Sequence, residues 1–303
     1  MNRRVVLSLL VIVLVIAALI GFSSFSENKS EWKVTEAGLL YYSLSMPEYQ
    51  LRPIESKDNH SLFEVRFASR DAEIAGLLRI PQIGTDGGQK GKGLPGIVLL
   101  PGATITKERE QGFAAILGNM GFATLTLDQR NMGAIDTQRD IQAFLSGQEP
   151  VEHKMVYDAL ATAKILRDQT DIDPDRIVYV GESNGGRFAI TACALDPRAR
   201  GLIGISTCGY GSGAAIVSGR LSEPNMIRFY KSIDPETYLK KIPPRKLVML
   251  QSLNDPIVPY QYANLTYSLA LQPKELHTVN CSLHGHCAEM DAFIEKELKL
   301  MVV

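Results

Sequence analysis

Residues 176–187, Arg-Ile-Val-Tyr-Val-Gly-Glu-Ser-Asn-Gly-Gly-Arg, constrain the fold of this chain more than any other stretch. Residues 177–180 form a short apolar, β-branched run, the pattern of a buried strand. Gly181-Glu182-Ser183-Asn184-Gly185 then matches G-x-S-x-G, and Gly186 adds a further small residue. Residues 187–195 read as a helix. A strand that turns this sharply into a helix needs neighbours that are nearly free of side chain. The turn lifts the Ser183 hydroxyl clear of the sheet, and the helix N-terminus behind it favours developing negative charge. Ser183 is therefore a candidate nucleophile. The competing reading is a glycine-rich turn with a capping serine.

The sequence around this turn alternates between strand and helix patterns. Strands are expected at residues 96–100, 122–127, 201–205, 246–251 and 276–281. Helices are expected at 107–120, with Phe113, Ile116 and Leu117 on one face, at 151–167, with Val156, Leu160, Ala163 and Leu166 inward, and at 288–300. Asp173-Pro174 separates the second helix from the strand at residue 177. This succession argues a mostly parallel sheet covered on both faces. Ahead of it, residues 61–69 alternate apolar and polar as a half-buried strand does, and 73–80 read as its hairpin partner. A short helix is expected around residues 34–43. Residues 81–93 carry five glycines and read as a surface loop without a phosphate-cradling pattern. Residues 207–244 are too long for a simple connection. They read as a crossover helix plus a small cap over the active-site edge, with helical pieces at 225–232 and 235–241; insertions of this length usually serve binding. Gly209-Tyr210-Gly211-Ser212-Gly213 lacks the third glycine and the following acidic strand end of a dinucleotide fingerprint.

The 303 residues suffice for one large domain, and 45% hydrophobic residues supply a substantial core. A net charge of −1, without a basic stripe, argues against a nucleic-acid partner. Residues 5–22 are an almost unbroken apolar run after Arg3 and Arg4. That is about the minimum length for a spanning helix and longer than a usual signal-peptide core. The run reads as an uncleaved signal anchor, with a cleaved signal peptide as the alternative. The two arginines orient it so that the rest of the chain lies outside the cytoplasm. The domain plan is thus an anchor over 1–25, a membrane-proximal linker and extension over 26–60, and a catalytic domain over 61–303. Four cysteines, Cys193, Cys208, Cys281 and Cys287, are compatible with disulfides in an oxidising compartment.

A serine hydroxyl needs a base to take its proton, and the base needs an orienting acid. Of five histidines, His60 and His153 lie away from the strand ends and His277 lies within the last strand. His284 and His286 fall just beyond that strand, at the edge where parallel sheets gather their active sites. Either can be the base. The acid is Asp255, in the loop after the strand at 246–251, which completes the chain order Ser, Asp, His. Cys281, His284, His286 and Cys287 also resemble a set of zinc ligands, but their spacing matches no familiar zinc module. No metal or cofactor is expected.

These segments together resemble an α/β-hydrolase of the prolyl-oligopeptidase and dienelactone-hydrolase type. The resemblance rests on Ile74-Ala75-Gly76-Leu77-Leu78, Leu99-Leu100-Pro101-Gly102-Ala103, Leu127-Asp128-Gln129-Arg130, the elbow, Asn254-Asp255-Pro256 and His284-Gly285, and covers residues 62–300. It implies the α/β-hydrolase fold, a Ser183–His284–Asp255 triad, since the base in such enzymes is often the histidine before glycine, and an oxyanion hole from the N–H groups of Asn184 and Ala103. Pro101 stands where many relatives carry histidine. Asp128 and Arg130 are expected to brace a turn. The implied activity is that of a membrane-anchored serine hydrolase acting on a small-molecule ester or a peptide-like amide. Without a propeller domain in these residues, an esterase is favoured over a peptidase. A catalytically silent binding module is the alternative from another class.

Overall fold

The structure is a computed structural model that describes residues 31–82 and 93–303. The expected anchor over residues 5–22 and most of the glycine-rich loop lie outside the described residues. Among those described, no helix is long and apolar enough to cross a membrane.

The sheet is built on β6 (Leu94–Leu100) and β8 (Ile172–Glu182), which pair in parallel. Parallel partners extend it on one side through β9 (Gly201–Ile205), β10 (Lys246–Ser252) and β11 (Lys274–Val279), and on the other through β7 (Ala123–Leu127). Beyond β7, the antiparallel strands β5 (Ala72–Pro81), β4 (His60–Ser69) and β3 (Tyr49–Lys57) complete nine strands in the order β11-β10-β9-β8-β6-β7-β5-β4-β3. The central strands alternate between two apolar layers. Val98 and Leu100 of β6, with Ile177 and Tyr179 of β8, join one buried cluster; Ile97 and Leu99, with Val178 and Val180, join the other. The period of two places successive side chains on opposite faces, so continuous apolar runs result where both faces are covered.

Helices α1 (Gln111–Asn119), α2 (Thr137–Leu145), α3 (Val151–Arg167) and α4 (Asn184–Leu195) follow in chain order. Leu160 and Ala163 of α3 and Phe188 and Ala189 of α4 cover the first layer. Phe113 and Leu117 of α1 cover the second. Full burial of a leucine- or phenylalanine-sized side chain contributes about 1.5–3 kcal/mol, which makes this two-sided packing the main stabilising term. Buried Asp140 of α2 accepts hydrogen bonds from the Val151 and Glu152 N–H groups at 2.7 and 3.0 Å, satisfying donors that the first turn of α3 leaves open.

Several expectations need correcting. Residues 34–43 are not helical: Trp32–Val34 (β1) pairs antiparallel with Leu40–Tyr42 (β2) around Gly38 at φ +82°. Val34, Leu40 and Tyr42 are buried while Lys33 and Tyr41 face out, which is a period of two. β3, assigned to the extension, is hydrogen-bonded along β4, so the folded domain begins before residue 61. α1 starts four residues late because Asp128 takes both the N–H and the ammonium of Lys107, at 2.9 and 2.6 Å, and holds that segment in the loop. The insertion contains α5 (Ser212–Val217), α6 (Pro224–Ile233) and a 3₁₀ turn, Pro235–Lys241. Three helices were not anticipated, α2, α5 and α7 (Tyr260–Leu269). The chain closes with α8 (Asp291–Met301), after a 3₁₀ turn at Ala288–Met290.

Candidate active site

β6 and β8 flank the point where the strand order reverses, and the crevice beyond their carboxyl ends is where such sheets bind ligands. Ser183 lies there, between β8 and α4, at φ 51° and ψ −118°. A non-glycine residue held so costs on the order of 1–3 kcal/mol and persists only where its surroundings leave no choice. The glycines supply that constraint. A Cβ on Gly181 would stand 2.3 Å from the Gly185 carbonyl oxygen, and one on Gly185 would stand 2.1 and 2.4 Å from the Leu100 and Pro101 oxygens. The elbow is therefore pressed against the end of β6. The Ser183 N–H donates to Ile205 O at 2.9 Å, and the Thr207 hydroxyl donates to Ser183 O at 2.7 Å, so the backbone is fixed while the side chain faces the crevice.

Asp255 is buried in the turn after β10. Its carboxylate accepts from the N–H groups of Ile257 and Val258 at 2.8 and 2.9 Å, and from the Gln251 amide at 3.2 Å. Burial alone would raise its pKa, but the Val258 and Ile257 N–H groups, with His284 and Ser206, outweigh it and hold the carboxyl below its ordinary value. His284 Nδ1 lies 3.0 Å from both carboxylate oxygens. An ionised carboxylate only accepts, so Nδ1 carries the proton and Nε2 is left with its lone pair.

His286 is held elsewhere. Its Nε2 is 2.6 Å from Asp291 Oδ1, and its ring stacks on Phe113 at 4.2 Å. His153 is buried against Ser232, and burial pushes its pKa down to about 3. His60 and His277 pair with Glu55 and Glu297. The structure thus brings Ser183, Asp255 and His284 to one sheet edge and leaves the other four histidines outside it.

Ala103 and Asn184 lie on the two loops that meet at Ser183. Among the described residues, neither N–H donates to a backbone carbonyl in a turn, loop or cap. The Asn184 side-chain amide donates to Gly133 O at 3.1 Å and the Gln129 side chain donates to Pro101 O, so the segment after β7 braces both. Asp128 and Arg130 stand apart. Arg130 pairs with Asp71 and Asp158 and donates to Ser69 O, so both residues are structural.

A cavity of about 990 Å³ opens over Ser183 and His284, with Ala103, Arg187, Tyr210 and Glu236 among its walls. The insertion thus supplies part of the wall, and the glycine run around Tyr210 forms cavity rather than nucleotide loop. Sequence reasoning missed two features. Glu182, next to Ser183, turns back beneath the histidine loop, where its carboxylate accepts from His286 N–H at 3.3 Å and would meet a Cβ on Gly285 at 2.6 Å. Burial raises the pKa of Glu182, and burial plus the charge of Glu182 raises that of Glu110. The second is a disulfide between Cys281 and Cys287, which encloses His284 and leaves neither sulfur as a thiolate ligand for a metal. The sequence allowed disulfides among its four cysteines but left their pairing open.

The sequence profile of the acetyl xylan esterase (AXE1) family matches residues 47–250, more than half the chain. The chain belongs to the acetyl xylan esterase family. The solved structures it resembles support the α/β-hydrolase fold. The acetyl xylan esterase of Paenibacillus sp. R4 superimposes with a TM-score of 0.68 at 17% identity, over 84% of this chain and 89% of that one. The acylaminoacyl peptidase of Pyrococcus horikoshii matches with a TM-score of 0.57 at 18% identity, over 81% of this family member but 41% of the peptidase. Both likenesses bear on the fold. The uncharacterized protein YfhR of Escherichia coli strain K12 is 22% identical over 147 residues, 48% of this chain. The chain spans about half the length of the curated relatives it matches first.

Proposed function

We propose that this member of the acetyl xylan esterase family is a serine carboxylesterase that works through Ser183, His284 and Asp255 and an acyl-enzyme. The observation that carries the reading is the clamp of His284 Nδ1 on the Asp255 carboxylate, in a cavity that also takes in Ser183. With Nδ1–H turned to Asp255, Nε2 accepts the Ser183 proton as Oγ attacks the ester carbonyl. The N–H groups of Asn184 and Ala103 receive the oxyanion; preorganised donors of this kind are usually the largest catalytic term. His284 returns the proton to the departing alcohol. Water then attacks the acyl-enzyme, giving a proton to Nε2 and releasing the acid as Ser183 is reprotonated.

The names of the relatives, acetyl xylan esterases among them, support a short acyl group on a carbohydrate-sized alcohol as substrate. The apolar run at 5–22 after two arginines supports an anchor that holds the enzyme outside the cytoplasm. The Cys281–Cys287 bridge supports the same side, because disulfides persist in oxidising compartments. A fluorophosphonate probe tests the nucleophile: the wild type should label and Ser183→Ala should not, and label that survives the substitution refutes the reading. Cleavage of para-nitrophenyl acetate without cleavage of aminoacyl anilides is the result expected of an esterase; the reverse makes the chain a peptidase.

A further inference from the structure

Arg187 lies one helical turn after Ser183 on α4 and forms part of the wall of the same cavity. Its guanidinium is fixed but not neutralised. Nε donates to Cys208 O at 2.8 Å, one terminal nitrogen donates to Asn184 Oδ1 at 3.0 Å, and the plane lies over the Tyr210 ring with 4.3 Å to its centroid. The other terminal nitrogen meets the Cys208 sulfur at 3.9 Å, a weak acceptor, and the Tyr210 hydroxyl also acts on the guanidinium.

Some withdrawn arginines carry a carboxylate: Arg70 pairs with Glu149, Arg130 with Asp158 and Arg167 with Asp196. Arg79, Arg228 and Arg245 instead bond an amide or backbone carbonyls, but unlike Arg187 they do not line this cavity. Among the described residues, no carboxylate lies within ion-pair distance of Arg187, although the charge of Glu152 acts on it from behind Tyr210. Glu236, in the same wall, accepts from the Thr266 hydroxyl at 2.8 Å. Glu152, behind Tyr210, accepts from the Tyr210 hydroxyl at 2.7 Å. Glu182 accepts from the His286 N–H. A guanidinium positioned by an aromatic ring and two oxygen acceptors in the wall of the cavity can offer a carboxylate a charge-assisted hydrogen bond.

We propose that Arg187 binds a carboxylate carried by the ester substrate, so that the esterase selects anionic esters. The proposal rests on Ser183 being the nucleophile. The carboxylate can sit on the acyl part or on the alcohol part, and two substrate pairs separate these. The first is the mono-para-nitrophenyl ester of glutaric acid against para-nitrophenyl pentanoate. The second is para-acetoxybenzoate against its methyl ester.

With the purified full chain, kcat/KM should favour the anionic member of at least one pair by about tenfold or more, mainly through KM, the value expected of a charge-assisted hydrogen-bonded pair. The pair that shows the preference identifies the side of the ester that meets Arg187. The preference should shrink as salt is added, and free glutarate or benzoate should inhibit competitively. In Arg187→Gln the ratio should fall to about one, and Arg187→Lys should restore part of it, as a charge without the planar fork. Fluorophosphonate labelling of each variant reports that it has folded. A wild-type ratio of one or below for both pairs overturns the proposal, and does so without any variant; so does a ratio unchanged in Arg187→Gln. In either case hydrolysis of the neutral esters leaves the esterase reading standing. Absence of both labelling and hydrolysis overturns that reading, and the proposal with it.

Discussion

Breaking the Cys281–Cys287 bridge tests whether it positions the base or merely ties the loop. The bridge spans a sequence separation of 6 and has His284 near its middle. The chain-entropy relation gives about 2 kcal/mol for so small a ring. If all of that free energy went into ordering His284 against Asp255, its loss would lower kcat by about thirtyfold, at about 1.4 kcal/mol per factor of ten. The loop has other anchors. Ser252 donates to Cys281 O, Glu182 accepts from His286 N–H, and His286 is held by Asp291 and Phe113. These share the load, so the expected fall in Cys281→Ser/Cys287→Ser is about three- to thirtyfold in kcat, with KM nearly unchanged. The assay is steady-state hydrolysis of para-nitrophenyl acetate, alongside thermal unfolding of the oxidised protein, the reduced protein and the double variant. Reduction by dithiothreitol should reproduce the loss, and reoxidation should reverse it. A lower unfolding midpoint with unchanged kcat would refute the positioning argument, because the bridge would then stabilise the domain without bearing on His284.

Other substitutions give separable outcomes. Asp255→Asn should leave the protein folded and lower kcat by about three to four orders of magnitude, since the amide no longer enforces the Nδ1–H tautomer; stopped-assay rates across pH check it. His284→Ala should reduce kcat comparably, whereas His286→Ala, which loses contacts to Asp291 and Phe113, should reduce it by less than about tenfold; equal losses would contradict the assignment. Gly185→Ala places a methyl 2.1 Å from the Leu100 oxygen, so either the elbow or the end of β6 must move, and a drop of about 3 kcal/mol or more is expected in urea unfolding. Glu182→Gln tests the buried carboxyl pair. Burial raises the folded-state pKa of Glu182 to about 7, so the folded protein holds this proton more tightly than the unfolded chain. The resulting stability is present below the ordinary carboxylate range and is lost as pH rises toward 7. The variant should therefore gain on wild type by on the order of 1–2 kcal/mol between pH 5 and pH 8, read as a few degrees in the difference of unfolding midpoints.

The elbow was legible in the sequence because its physical cause is local. Backbone approaches of little more than 2 Å at Gly181 and Gly185 exclude any side chain, and that exclusion is written in the residues themselves. The buried strands were legible for a related reason: β6, β8, β9 and β10 are covered on both faces, so their composition alone marks them. β1 and β2 were misread because three-residue strands carry too little pattern to separate a period of two from a helix, and β3 has few buried residues. The choice between His284 and His286 was not local at all. The two stand two residues apart in one loop and are alike as residue types. What separates them is that Asp255 is preorganised by two donors from its own turn and by Gln251 of β10, while Asp291, at the start of α8, captures His286 beside Phe113. Arg187 was visible as a residue, but its lack of a carboxylate is a property of the packed cavity. Local backbone constraints thus mark the nucleophile in sequence, whereas the groups that would tune and aim it take their roles from partners brought in by the fold. The glycine after His284 favoured it by resemblance alone, whereas the sheet, by bringing distant loops together, supplies the partners that distinguish it physically from His286.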